Sequence, residues 1–362
     1  MKVFPLSSDR VSLGVTETGG HLSDVSFDIG RDRPVMPLHT APWSPGELDP
    51  GIDPILEVLR GDFFCAPFAA NDVEPAETRI HGATANGTWR LAAAGDGWLD
   101  AVLETDVMGA SVTKRVEVRP GEAVVYQRHT LAGGHGRLPL GQHAMLHADP
   151  PLLLAFSPWV WAGTPPVPVE SPPEGRSALA TGQEITDPTR AQLADGGTAD
   201  ITRFPFDAGH DDIWSLASDP ALAFAWTAAT CPEAGWVWFG LKNPRILPET
   251  LLWLSHGGRH YAPWNGRHTH CIGLEEVCSY FHLGHAASIA DNPLTRRGIP
   301  TAIALEPDGS VAVPYMFGLA AVPNGFGAVA RIEEEDGGVI LTDGGGREVF
   351  AACDVSFVTN PA

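Results

Sequence analysis

Apolar and polar residues trade places every second position over many short runs of this chain, which is the signature of strands that bury one face. The stretches 11–15 and 22–28 follow this period on either side of a Gly19-Gly20 turn. The clearest signal is a hairpin, with strands over 112–118 and 123–131 flanking the turn Arg119-Pro120-Gly121-Glu122. Further strands are expected over 138–147, 221–230, 235–242 and 271–277. Towards the C-terminus they are expected over 301–305, 310–314, 328–333, 337–342 and 351–358. Neither coiled-coil heptads nor a long amphipathic helix is evident, and the one helix expected is a short one over 189–195. The pattern reads as all-β.

The same period assigns faces. Along 271–277, if Ile272 and Leu274 enter a core, Glu275 shares its face with Gly273 and Val277, and Glu276 turns the other way to a structural role. Trp236 and Trp238 share one face of their strand, with Val237 and Phe239 on the other. Such an indole pair either fills a core or paves a cleft, since indole rings stack on the apolar faces of a pyranose. Two regions break the pattern. The proline-rich run 41–54 reads as a loop. The weakly hydrophobic stretch 163–200 could be a linker, but similar strands resume on both sides, so it is read as an excursion from a single domain spanning 1–362.

Composition supports this picture. The chain has 362 residues, 44% of them apolar, with 11 tryptophans, enough for a sizeable core, and its 40 glycines and 32 prolines are spread among many turns. A formal charge of -21, from 23 basic and 44 acidic residues, argues against nucleic acid and anionic membrane surfaces as partners. Five scattered cysteines without a CxxC pair suggest free thiols, and no apolar run is long enough to span a bilayer. These features point to a soluble, cytoplasmic protein.

Chemistry concentrates in 252–277, where 26 residues hold four histidines, two tryptophans, two arginines and the adjacent Glu275 and Glu276. Four readings compete. His268 and His270 on one strand face would lie about 6.6 Å apart, a workable metal spacing, yet neither imidazole needs an ion to explain it. His143 and His147 would be about 13 Å apart on a strand, too far to share one. No metal or cofactor is expected. A glycosidase would need two facing carboxylates. Glu275 and Glu276 cannot supply them, being neighbours on a strand, although Asp62, Asp211 or Asp212 could partner Glu275. Proton transfer by one carboxylate and one imidazole would suit the opening of a sugar hemiacetal. Non-catalytic sugar binding would use the same residues.

Four short motifs, in order, are GDFFCAPF at 61–68, HG at 81–82 with Trp89 following, LPLGQHAML at 138–146 and IGLEEV at 272–277. Together they resemble the aldose 1-epimerase, or galactose mutarotase-like, superfamily over roughly residues 10–360. The resemblance implies a β-supersandwich of large antiparallel sheets with a concave carbohydrate cleft. It also implies that Glu275 is the base, that His143 is the acid, and that His81 holds the ring oxygen or a neighbouring hydroxyl. The family's sugar-binding arginine falls on Arg60 or Arg79, with Arg60 favoured because it directly precedes the Gly-Asp-Phe motif. Its aspartate has no clear match, Asp211 and Asp212 being nearest in order, with Asp212 preferred, and Asp62 joins the substrate-binding candidates. Met145 replaces the usual aromatic two residues after the acid histidine. Trp264 and Arg267 are expected to line the cleft, and Arg60, Arg259 and Arg267 could surround an anion.

The implied activity is anomer interconversion of a small-molecule sugar by Glu/His acid–base ring opening. The alternatives are a carbohydrate-binding protein without chemistry and a hexose-phosphate epimerase.

Overall fold

The computed structural model describes residues 2–73 and 78–360. Two large antiparallel sheets dominate it and pack on a shared core. Seven strands make the sheet on which the site is built: β1 (Phe64–Cys65), β2 (Leu140–Gln142), β3 (Ala144–His147), β4 (Trp159–Gly163), β5 (His210–Ser218), β6 (Glu249–His256) and β7 (Cys271–Cys278). Their order is β4-β5-β6-β7-β2-β1, with β3 also pairing with β7. The nine-stranded sheet runs Arg203–Phe204, Leu152–Phe156, Ala225–Cys231, Trp236–Lys242, Ser310–Ala321, Val124–Gly133, Ala110–Val118, Trp98–Leu103 and Trp89–Gly95.

Burial follows the predicted faces. Ile272 and Leu274 of β7 join Trp214, Leu216, Leu252 and Leu254 in a core shared with Trp236, Trp238, Val112 and Leu131 of the nine-stranded sheet. Trp236 and Trp238 are therefore core residues and do not pave a cleft. Val237 and Phe239 face a different apolar layer, closed by a three-stranded C-terminal sheet, Val329–Glu335, Gly338–Asp343 and Glu348–Ala352. Cys271 and Val277, on the opposite face of β7, belong to a second cluster with Met145, Leu251, Trp253, Phe63, Phe68 and Trp264. Glu276 enters between the sheets, where its carboxylate pairs with Lys242 and accepts bonds from Thr227 (2.6 Å) and Thr250 (2.7 Å). Its structural role is met.

Three expectations need correction. The stretch 138–147 is broken, because the backbone N–H of His143 leaves the ladder and donates to Phe63 O (2.8 Å) and Asp62 Oδ1 (3.0 Å). The helix expected over 189–195 is a single 3-10 turn, Pro188–Arg190, followed by the small hairpin Ala191–Gln192 and Thr198–Ala199. The final stretch is strand only as far as Ala352, and Ser356–Thr359 is helical. The excursion is fastened to β5, where the Asp212 carboxylate accepts from the backbone N–H groups of Ala178 and Leu179. Among the described residues no helix is long and apolar enough to cross a membrane. The five cysteines are buried and unpaired with one another.

Candidate functional site

Glu275, on the face of β7 that also carries Cys271, Gly273 and Val277, stands at the floor of an open cavity of about 130 Å³. Glu275 and His143 meet there because of register. Gly141 stands opposite Val277 and Ala144 opposite Leu274, so the same register sets His143 across from Glu275. His143 Nε2 lies 3.3 Å from Glu275 Oε1, and both side chains are almost wholly buried. A side chain at Gly273 would come within 2.3 Å of Glu275 Oε1, so this glycine leaves room for the carboxylate.

Burial sets the electrostatics. It pushes the Glu275 carboxyl well above the usual carboxylate range, against the pull of the Arg259 guanidinium. It drives the His143 imidazole well below its ordinary value, an effect reinforced by His81. The states that burial disfavours are those in which the pair carries net charge. The pair therefore holds one proton between its two members over a wide pH range.

An aromatic stack holds His143 in place. Phe63 is stacked on its ring at 4.4 Å and on that of His21, behind, at 4.1 Å. Asp62 holds the backbone from below, as described, and also accepts from Gln127 Nε2. Desolvation raises the Asp62 carboxyl to about 6.

His81 reaches the cavity through a tight turn in which it and Gly82 both have positive φ. A Cβ on Gly82 would stand 2.4 Å from Ala66 O, so only glycine fits. The His81 N–H donates to Ala69 O (2.7 Å), and the Ala69 N–H donates back to His81 Nδ1 (3.1 Å). Nδ1 being an acceptor, the proton of the neutral ring sits on Nε2. Burial holds the ring neutral by lowering its pKa to about 3. It is a hydrogen-bond donor without charge.

The opposite wall comes from the loop between β6 and β7. Arg259 lies over Trp264, with Cζ 4.6 Å from the ring centre, and 5.2 Å from that of Trp253. Its Nε is 3.0 Å from Glu170 Oε1 and 3.3 Å from Asp211 Oδ1. Asp211 also accepts from Trp253 Nε1 (2.7 Å) and Ser255 Oγ (3.1 Å). His282, just past β7, completes the polar lining, while Ile55, Leu59, Phe68, Ile213 and Leu251 supply apolar surface.

No protein-family model matches the chain, and no curated protein matches it significantly. Solved structures do. A candidate aldose 1-epimerase from Escherichia coli K12 superposes with a TM-score of 0.59 at 13% identity, over 89% of this chain and 99% of that one. A galactose mutarotase related enzyme from Lactobacillus acidophilus gives 0.54 at 9% identity, with the same shares of the two chains covered. A protein from Synechocystis sp. PCC 6803 gives 0.54 at 14%, over 88% and 96%. The fold is that of the galactose mutarotase-like proteins.

Of the residues singled out in the sequence, Glu275, His143, His81 and Trp264 line one cavity. Four others do not. Arg60 is turned back on its own segment, its Nε donating to Val58 O (3.2 Å). Arg267 pairs with Glu47 (2.6 Å) and lies over Trp43, outside the cavity. Asp212 faces away from it, accepting from the excursion and sitting 2.7 Å from His210 Nδ1. Asp62 lies beneath the floor, its Oδ1 accepting from the His143 N–H.

The three arginines do not converge, and Arg259 alone lines the site. Of the two aspartates in sequence, Asp211 stands behind the wall. His268 and His270 precede β7 in irregular backbone and diverge: His268 Nδ1 meets Ser255 Oγ (2.7 Å), whereas His270 has positive φ and its N–H donates to His256 Nδ1 (3.0 Å). Sequence reading missed His282, whose position directly after β7 in the aromatic run Tyr280-Phe281-His282 was the available signal.

Proposed function

We propose that this protein is a divergent aldose 1-epimerase-like enzyme that binds a sugar in this cavity and interconverts its anomers. The observation that carries the reading is the contact of Glu275 and His143 on a buried floor, with one proton between them and a neutral His81 donor alongside. Opening a hemiacetal removes a proton from O1 and delivers one to O5. From the ion-pair form of that one-proton state, in which the shared proton has moved from Glu275 to His143, the carboxylate takes the O1 proton as the imidazolium gives its own to O5, and the C1–O5 bond breaks. The open aldehyde rotates about C1–C2. Reclosure returns both protons, so the pair ends as it began.

His81 Nε2–H is assigned to a sugar oxygen, and the Trp253 and Trp264 wall to an apolar sugar face. Arg259 is already met by Glu170 and Asp211, and among the described residues no other arginine or lysine lines the cavity, so an uncharged aldose fits better than a phosphorylated one. The test is polarimetry on freshly dissolved single anomers of uncharged aldoses. Faster approach to equilibrium is expected with at least one of them. Saturable sugar binding without acceleration would make the protein a carbohydrate-binding module, and reducing ends released from an oligosaccharide would make it a hydrolase.

A further inference from the structure

About four residues back along β7 from Glu275, on the same face, a second polar cluster is buried behind Trp253 and Trp264. One ring nitrogen each of His39 and His268 and the Cys271 sulfur lie within 4.8 Å of one another, and all three residues are more than nine-tenths buried. They come from two parts of the chain, His268 and Cys271 lying three residues apart and His39 far before them. His39 lies on an extended segment beside β3, its N–H donating to Met145 O. His268 ends the loop between β6 and β7. Cys271 opens β7, between His147 on one side and Ser255 on the other.

The hydrogen bonds leave His268 with a lone pair on Nε2 and allow the same of His39. His268 Nδ1 is 2.7 Å from Ser255 Oγ, and that hydroxyl donates its proton to Asp211 Oδ2 (3.1 Å). Ser255 can then only accept from His268, so Nδ1 carries the ring proton and Nε2 is bare. His39 Nδ1 is engaged with His147 Nδ1 at 3.4 Å. Nε2 of His39 and Nε2 of His268 are buried without a hydrogen-bond partner among the described residues. A carboxylate acting through a hydroxyl to fix an imidazole tautomer is the kind of support that metal-bound histidines receive.

We propose that His39 Nε2, His268 Nε2 and Cys271 Sγ form a binding site for a borderline-soft divalent cation of the Zn2+ class. Two imidazoles and a thiolate suit Zn2+, and the set offers no carboxylate or carbonyl oxygen of the kind Mg2+ or Ca2+ requires. Tetrahedral zinc with its usual bond lengths sets such ligand atoms roughly 3.3–3.6 Å apart. Closing from separations of at most 4.8 Å asks for side-chain shifts on the order of 1 Å. Binding releases one proton, from the Cys271 thiol, to solvent, and the fourth position falls to water. A cleft lined by His39, His147, Arg267 and Thr269 gives access.

The consequence is structural. The ion ties the loop carrying Arg259 and Trp264 to the sheet and to the 36–41 segment, fixing the cavity wall without entering it. The site is independent of the sugar reading.

The experiment uses tag-free full-length protein, stripped with chelator and titrated with Co2+, then Zn2+. One equivalent of Co2+ is expected, with the absorption of a tetrahedral thiolate-bound ion, displaced by one equivalent of Zn2+ that raises the melting temperature. Cys271→Ser should abolish the thiolate-to-cobalt band, and His268→Gln should weaken Zn2+ at least tenfold, each with an unchanged circular dichroism spectrum. Should either variant fail to fold, X-ray absorption on the Co2+ form of the wild type is expected to show one sulfur and at least two imidazole nitrogens. Absence of saturable Co2+ and Zn2+ binding, affinity unchanged in both variants, or an oxygen and nitrogen shell without sulfur would overturn the proposal.

Discussion

Glu275 and His143 would each titrate in water with a familiar pKa, the carboxyl near 4.3 and the imidazole near 6.5. In the cavity burial moves them past one another, the carboxyl up and the imidazole down. The sign of the effect on activity follows from proton counting. The inactive acid form carries a proton on both groups and is positive, the inactive alkaline form carries none and is negative, and burial penalises both. The one-proton form therefore persists to lower pH than a free histidine and to higher pH than a free carboxyl would allow. A plot of log kcat/KM against pH should be a broad plateau with widely separated limbs, where unburied groups would give a narrow bell. Arg259 opposes the rise of Glu275, so Arg259→Met should shift the alkaline limb further upward, provided the variant still binds sugar.

At the scale of elements, β7 sorts its residues by alternation alone. Glu275 falls on the cavity side and Glu276 between the sheets, and both destinations were legible from Ile272 and Leu274. The pairing of Glu276 with Lys242 was not, since nothing in the sequence aligns β7 with the strand Trp236–Lys242. Removing one partner of a buried ion pair leaves the other unmatched, at a cost of about 3–5 kcal/mol. Lys242→Met should lower stability by that order in urea denaturation while Glu275 keeps its place.

Where the sequence misled, a distant group had taken over the backbone. The strand expected over 138–147 breaks because Asp62, 81 residues before His143, accepts its N–H. Arg60 was chosen for its place beside the Gly-Asp-Phe motif, but the arginine that lines the cavity, Arg259, arrives on a loop whose path depends on Glu170 and Asp211. Local period gives faces. Loop-borne contacts are set by tertiary structure.

For the whole molecule, the histidines mark a dependence on pH. His21, His39 and His81 are each lowered from 6.5 to about 3, with burial the leading cause. Their folded pKa lies below the unfolded one, so the unfolded chain binds more protons between the two values. Stability is fully present above 6.5 and is lost as pH falls towards 3. Each such group costs about 1.4 kcal/mol one unit below its unfolded pKa. Asp62, raised to about 6, acts in the opposite sense and offsets part of the loss. Melting temperatures should therefore fall between pH 7.5 and 5.5, and replacing His21 with an apolar residue of similar shape should flatten that slope.

That the chain is all-β was legible from alternation, the large antiparallel sheets followed from the resemblance carried by the ordered motifs, and the known structures share the fold at 9–14% identity. That likeness covers the fold. The chemistry rests on the contact between two side chains. The most direct test is anomer exchange of an uncharged aldose, followed by saturation-transfer NMR in wild type and Glu275→Gln. The account predicts acceleration by the wild type and a fall of roughly 10²–10⁴-fold in the variant, with sugar affinity little changed. Undiminished exchange in Glu275→Gln, or a wild type that binds the sugar and leaves its anomers untouched, would contradict it.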